Sequence, residues 1–168
     1  MQESPRGEGA GYAPGAGLVH DRAAALAGSQ GVMGPHAGDI GLRLRAEVKQ
    51  LSMLRAVAET VLLTADFTID VVTDVRVALD EVATAVMLST VPGGAIECEF
   101  RCDDTQVHVR VAGVVTTVDA FDEHSFSRQI LASLTDSLRT SRAPFDPELR
   151  GYPLVVRFSR LRSPDRSR

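Results

Sequence analysis

The stretch that most constrains the fold runs from Val71 to Thr90 and reads VVTDVRVALDEVATAVMLST. Wound at 3.6 residues per turn, it places an apolar stripe on one side, which predicts a core-facing surface: Val72, Val75, Leu79, Val82 and Val86. Val75, Val77 and Leu79 also alternate as they would in a strand, and valine is a poor helix former. We favour a helix because about twenty residues without Gly or Pro are long for a strand.

The opposite face of this central helix carries one glutamate among apolar neighbours, with these residues in order: Asp74, Val77, Glu81, Ala85 and Leu88. A solvent-facing surface is normally polar along its length. The pattern therefore indicates the floor of a pocket or an interface. Glu81 is the best single catalytic candidate, because a carboxylate acts as a general base where its pKa suits the reaction. A helix glutamate that simply faces solvent is an equally good interpretation.

Composition limits the class of protein. A chain of 168 residues predicts one domain, and its 44% hydrophobic but only 5% aromatic content predicts an aliphatic core. The net charge of −4 argues against a nucleic-acid partner. The first residues show no basic segment followed by an apolar run, so we expect no signal peptide. No apolar run approaches the ~20 residues that cross a bilayer, and we expect a cytoplasmic protein without a membrane partner.

The two ends of the chain differ in composition from the middle. Residues 1–38 hold nine of the fourteen glycines, which predicts a flexible Gly/Ala/Pro-rich tail. The run GEGAGYAPGAG follows no strand and opens no amphipathic helix, so a linker is favoured over a phosphate loop. Residues 39–160 are predicted to form the folded domain. Residues 161–168 form a short basic tail, interpreted as a solvated end because no aromatic residue is interleaved with its charges.

The domain has an alternation of helical and strand patterns. The first predicted elements are a strand from Ile40, a helix over about Ala46–Ala65, the central helix capped by Asp70, and a hairpin over Ala95–Val111. A third helix over about Ser125–Leu138 and a closing strand over Tyr152–Phe158 follow. The third helix is expected to bury Phe126, Ile130, Leu134 and Leu138. A further short strand is expected near residues 138–141. The order predicts an α+β fold, with helices on one face of a mostly antiparallel sheet.

Cysteine and histidine give little sign of a chemical site. Cys98 and Cys102 are four residues apart on a predicted strand, roughly 13 Å between Cα atoms, which is too far for a disulfide. Both fall on the inward face, so we expect small core residues and not nucleophiles. The four histidines are scattered along the chain, and no Cys/His group has the spacing of a metal site.

Arg55 lies at the margin of the apolar stripe of the first helix. It is either a snorkelling arginine that covers the edge of the core or a partner contact, since arginine is enriched at interface hot spots. The pattern alone favours the first interpretation.

From about Gly41 to Phe158 the chain resembles the anti-sigma factors of the RsbW and SpoIIAB type. These small proteins have the histidine-kinase-like (GHKL, or Bergerat) ATPase fold, a sandwich with a mixed, mostly antiparallel sheet. The resemblance is carried by the order of elements and by ALDEVATAV, Ala78–Val86, where the family has Glu, then Thr-Asn and Ala on a helix. LSMLR, Leu51–Arg55, resembles the sigma-contacting helix of the family. The chain is most similar to divergent actinobacterial members, whose nucleotide motifs are often degraded.

The resemblance assigns nucleotide-site roles that this sequence only partly keeps. Glu81 matches the glutamate that activates a nucleophile in phosphoryl transfer. Ala85 stands where the family has the asparagine that holds ATP and magnesium, and alanine has no oxygen to ligate a cation. Of the Asp-x-Gly-x-Gly box, only Gly113 is matched. Ser125 and Ser127 replace the lid glycines, so the resemblance implies that any binding of ATP and magnesium is weakened.

The resemblance implies a function in transcriptional regulation. An anti-sigma factor of this type sequesters an RNA polymerase sigma factor, is released by an anti-anti-sigma protein of the STAS fold, and forms a homodimer through its sheet edge or first helix. Arg55 matches the arginine of the sigma-binding helix, which reverses the preference stated above. The alternative is an active ATP-dependent serine protein kinase that phosphorylates the anti-anti-sigma partner, with Glu81 as base. A third interpretation is a structural α+β module with an unrelated partner.

Overall fold

The computed structural model describes residues 39–119 and 126–162. In chain order the elements are β1 (Ile40–Arg45), a 3-10 helix (Val48–Gln50), α1 (Leu51–Thr64), α2 (Ile69–Ser89), β2 (Ala95–Cys102), β3 (Gln106–Val115), α3 (Phe126–Leu134), β4 (Ser137–Arg142) and β5 (Tyr152–Leu161). The predicted tail over residues 1–38, and residues 163–168 of the C-terminal tail, lie outside the described part. The predicted α+β class is confirmed.

The strands form one sheet in the order β1-β2-β3-β5-β4. Every pairing between described strands is antiparallel, whereas the resemblance led us to expect a mixed sheet. The predicted hairpin is β2–β3, in which Cys98 pairs with Val111 across the strands. The short strand expected near residues 138–141 is β4, and it pairs with β5.

Helix α2 is the centre of the core. All five residues of its predicted apolar stripe are buried, at 3% exposure or less. They face the inward side chains of the sheet, such as Ile96, Phe100 and Phe158, and they share one apolar cluster with Leu54, Ala58 and Leu62 of α1. Because burial of apolar area is the main favourable term in folding, this layer of helix on sheet holds the domain together.

Cys98 and Cys102 are both free thiols, as predicted. Cys98 is buried in β2 between β1 and β3, and burial raises the pKa of its thiol to about 12. Cys102 is half-buried near the end of the strand, where burial also raises its pKa. A thiol reacts as its thiolate, so neither cysteine is prepared to act as a nucleophile.

The predicted start of the first helix and the predicted cap of the second were both wrong. The first helix was expected from Ala46, but a 3-10 turn precedes α1, which begins at Leu51. Helix α2 begins at Ile69 with Thr68 as its N-cap, and Asp70 lies in the first turn. The extended backbone of Thr68 leaves its carbonyl free to accept the first helical bond, from the Val72 amide at 2.9 Å.

The third helix is shorter than predicted and buries a different residue. It ends at Leu134, because the Thr135 hydroxyl donates to the Leu131 carbonyl and the Asp136 amide donates to the Ser159 carbonyl of β5. Leu138 therefore lies in β4 and not in the helix. Leu131 is fully buried where Ile130 was expected to be, and Ile130 is only half-buried.

Candidate partner-binding site

Arg55 on α1 forms an ion pair with Asp80 on α2. The Arg55 Nε donates to both carboxylate oxygens of Asp80, each at 2.7 Å. The two side chains are 42% and 32% exposed, so the pair lies at the surface of the helical layer. Its hydrogen bond and the charge of Asp80 raise the pKa of Arg55. The guanidinium is thus charged, accessible and held from one side.

A second ion pair lies beside the first with its charges reversed. Arg76 Nη1 on α2 is 3.2 Å from a carboxylate oxygen of Glu59 on α1. Positions 55 and 59, and positions 76 and 80, are four residues apart and therefore share one side of their helices. Because α1 and α2 run antiparallel, the two pairs line up across the groove between them. We call these four residues the helix seam.

Exposed apolar side chains are common on the two helices that carry the helix seam and on the turn before them. Of the nine large apolar residues that are strongly exposed in the described chain, six lie on the 3-10 turn, α1 or α2: Val48, Met53, Leu63, Ile69, Val77 and Leu88. Leu88 and Ile69 are the most exposed, at 72% and 66%. Protein interfaces combine apolar residues and arginine in this way. The helical layer therefore has the composition of a partner-binding surface.

Glu81 follows Asp80 in sequence but occupies the outward side of α2. It is half-buried and makes no hydrogen bond or ion pair with any other residue in 39–119 or 126–162. Val77 and Leu88 are exposed on the same face. Within the described residues its carboxylate is available to accept a hydrogen bond or proton, and no neighbouring group there activates it. The predicted catalytic role of Glu81 stays a prediction.

Ala85 lies one turn beyond Glu81 and packs partly against the core. Its methyl group supplies no oxygen for a cation. Within the described residues, no group of three His, Cys, Asp or Glu side chains is placed to hold a metal ion. Position 85 therefore offers no oxygen to a magnesium ion, and the weakened binding of ATP and magnesium stays a prediction.

Gly113 lies in β3, opposite Ile96 of β2 and Leu154 of β5. A Cβ added to it would stand 2.9 Å from Cγ1 of Val86 on α2. The glycine thus lets the central helix approach the sheet closely. This packing role is sufficient to explain a glycine here, and the predicted role in nucleotide binding stays a prediction. Of the two predicted lid positions, Ser125 lies outside the described residues, and the side chain of Ser127 is likewise outside them.

The sequence alone did not predict that Asp80 pairs with Arg55. The two residues are 25 apart in the chain, and their contact depends on how α1 and α2 are aligned. The only available signal was the pair of i, i+4 opposite charges on two neighbouring predicted helices. Arg160 was missed in the same way: it bridges Asp74 of α2 and Asp136, at 2.8 and 3.3 Å.

Comparison with known proteins gives one kind of relative. The chain is 27% identical over 124 residues to the anti-sigma-F factor RsbW of Mycobacterium tuberculosis, in two strains, and the match covers 74% of this chain and 74% of the relative. No protein-family model matches the chain. The similarity agrees with the resemblance drawn from the sequence and supports an anti-sigma role. In the described residues, no helix is both long and apolar enough to cross a lipid bilayer.

Proposed function

We propose that this protein is an anti-sigma factor that acts by binding an RNA polymerase sigma factor and keeping it from core polymerase. The observation that carries the proposal is the accessible Arg55 guanidinium on α1, in a helical layer that also carries exposed apolar residues. Helix α1 is the element that resembles the sigma-contacting helix, and the similarity to a protein named anti-sigma-F factor supports the same role.

The wider assignment follows the same proposal. The antiparallel sheet with helices on one face is compatible with the histidine-kinase-like ATPase fold, with α2 as the helix that carries the glutamate. We propose that the protein works in the cytoplasm as a homodimer, and that a STAS-fold anti-anti-sigma protein competes for it. ATP and magnesium are secondary to binding in this proposal, because Ala85 replaces a cation ligand.

The direct test is a tagged pull-down from the source organism with mass spectrometry, followed by titration of the purified sigma factor. Arg55→Glu should lose the sigma factor, with a cost of about 2–4 kcal/mol for a hot-spot arginine. Because Arg55→Glu also places a second carboxylate beside Asp80, Arg55→Gln serves as the neutral companion variant. Thermal melting of both variants shows whether the fold is intact. A sigma factor that binds both variants as tightly as the wild type would contradict the assignment of Arg55.

An active serine protein kinase is the second candidate. The half-buried Glu81 carboxylate favours it, because among the described residues it has no partner and can receive the proton of an attacking serine hydroxyl. Phosphoryl transfer depends mainly on positioning and on the metal, and the incomplete cation site argues against it. Transfer of radiolabel from ATP to a STAS partner, abolished by Glu81→Gln, would establish the kinase. No transfer with a STAS partner that binds the protein would remove it.

A further inference from the structure

The helix seam holds Arg55 in an unusual way. Only the Nε of its guanidinium is engaged, and this one donor is shared between the two oxygens of Asp80. The terminal nitrogens of Arg55 make no hydrogen bond within the described residues. A guanidinium carries five N–H donors, and the four on its terminal nitrogens can grip a carboxylate with two parallel bonds. Asp80 therefore holds the guanidinium at Nε, and among the described residues the two terminal nitrogens remain available to a partner.

We propose that Asp80 is a positioning residue for partner binding: it holds Arg55 by Nε so that the terminal nitrogens present a bidentate site to a carboxylate of the sigma factor. This inference rests on the proposed function and adds to it a second residue and the chemistry of the contact. An arginine ordered before binding loses less conformational freedom when the complex forms.

The neighbouring pair provides a matched control. Glu59 and Arg76 lie on the same two helices, one turn away, with similar exposure of 45% and 41%. Their ion pair is longer, at 3.2 Å, and within the described residues no hydrogen bond or ion pair joins it to Arg55. Exposed pairs of this kind contribute little to stability. Asp80→Asn and Glu59→Gln each replace one seam carboxylate by its amide, so they differ mainly in whether the carboxylate holds Arg55.

The geometry also makes arginine and lysine unequal at position 55. A lysine ammonium is a compact charge without a planar fork. Beside Asp80 it would pair with that carboxylate and keep no second edge for a partner. Arg55→Lys, which preserves the charge, is therefore expected to lose most of the affinity that Arg55→Ala loses.

The experiment titrates the wild type and the variants with the purified sigma factor recovered in the pull-down. Asp80→Asn should weaken binding roughly threefold to tenfold, and Glu59→Gln should weaken it less, because the Glu59 carboxylate pairs with Arg76 and not with Arg55. In an Arg55→Ala background, Asp80→Asn should change nothing further, because it acts through Arg55. Micromolar concentrations keep the weakened background measurable, and thermal melting confirms that each variant is folded.

A spectroscopic measurement separates positioning from a general structural effect. In the free protein, the Arg55 Nε–H should give a distinct, exchange-protected NMR signal. Asp80→Asn should abolish that protection, and Glu59→Gln should leave it intact. Loss of sigma affinity without loss of the signal would overturn the inference.

The possible failures are distinguishable. If the wild type binds a sigma factor but Asp80→Asn binds equally well, the inference is wrong and the proposed function stands. If Asp80→Asn weakens binding as much in the Arg55→Ala background as in the wild type, Asp80 touches the partner directly and the positioning role is wrong. If the wild type binds no sigma factor at all, the proposed function fails, and this inference fails with it.

Discussion

Asp80 and Glu81 are sequence neighbours on α2, but their carboxylates lie on different sides of the helix and differ in their partners. Asp80 faces α1 and receives both bonds from one guanidinium, whereas Glu81 faces outward and has no partner among the described residues. The side of α2 that carries Asp80 is packed against α1. The side that carries Glu81 is the one on which the resemblance expects a nucleotide, and its next turn carries Ala85. The two sides of α2 therefore offer different chemistry: on one side a carboxylate already bound by a guanidinium, and on the other a carboxylate without a partner among the described residues.

The largest expected effect is a loss of stability on the core side of α2, compared with its outward side. Leu79 is fully buried, so Leu79→Ala should lower the free energy of unfolding by about 2–5 kcal/mol. Leu88→Ala removes a side chain of the same size from the same helix at an exposed position, and the expected change is within about 0.5 kcal/mol. Chemical denaturation measures both. A large loss at Leu88 would show that its exposed face is covered, for instance by a second copy of the chain.

The next effect tests whether Gly113 serves packing. Gly113→Ala should destabilise the protein by about 1–3 kcal/mol without any nucleotide, since the new methyl meets Val86 at 2.9 Å. Combining it with Val86→Ala makes room, so the loss in the double variant should be smaller than the sum of the two single losses. Gly113→Ala with unchanged stability, measured by denaturation in nucleotide-free buffer, would instead favour a role confined to ligand binding.

Placing an oxygen ligand on the outward side of α2 tests the expectation that Ala85 weakens the binding of ATP and magnesium. Ala85→Asn should tighten the binding of magnesium-ATP by about 1 kcal/mol, roughly fivefold, if the pocket is otherwise intact. Calorimetric titration measures the change. Thr84→Asn, at the adjacent half-buried position of the same helix, controls for a general effect of asparagine. Equal affinities of Ala85→Asn and the wild type would mean that more than one ligand is missing.

The smallest effect concerns a carboxylate with several partners, the opposite of Glu81. Burial alone would raise the pKa of Asp103, but bonds from the Thr105 hydroxyl and amide and the Gln106 amide, with the charge of His108, lower it to about 2. Since the folded pKa lies below the unfolded value of about 3.9, this contribution to stability is present above about pH 4. It is lost as the pH falls towards 2.

Because the Asp103 side chain is 46% exposed, solvent screening limits this contribution to less than about 1 kcal/mol. Denaturation of the wild type and Asp103→Asn at pH 7 and pH 2.5 should show a difference at the higher pH that shrinks at the lower. An equal difference at both values would mean that the turn depends on the shape of the side chain and not on its charge.

The regular parts of the fold were predictable because their residues obey simple periods. The 3.6-residue repeat of α2 identified its buried stripe, and the alternation of β2 and β3 identified the hairpin and the inward cysteines. Of the Arg55–Asp80 pair, the sequence indicated Arg55 alone, and the role of Arg55 in partner binding stays a prediction. Arg55 was identified by its place at the margin of a stripe and by resemblance. Asp80 was not, because a contact between two helices depends on their alignment, which no local pattern contains.

The end of α3 shows why helix boundaries were harder. Ile130, Leu134 and Leu138 have the spacing of a helical face, and they predicted a helix through Leu138. The structure stops the helix at Leu134 because β5 offers Asp136 a backbone partner, Ser159. A strand partner distant in sequence therefore overrode the local period. The consequence was a shift in the buried side chain from Ile130 to Leu131.

The buried thiol of Cys98 is a native probe of how often the sheet opens. Cys98 is 1% exposed in a strand with a partner on each side, and its pKa of about 12 keeps it as the unreactive thiol. An alkylating reagent reaches it only when the sheet opens, so the labelling rate of Cys98 reports opening of the core. Cys102, half-buried at the end of the same strand, reports fraying of the hairpin. The labelling rates of two native residues four positions apart thus report two different motions, and no engineered probe is needed.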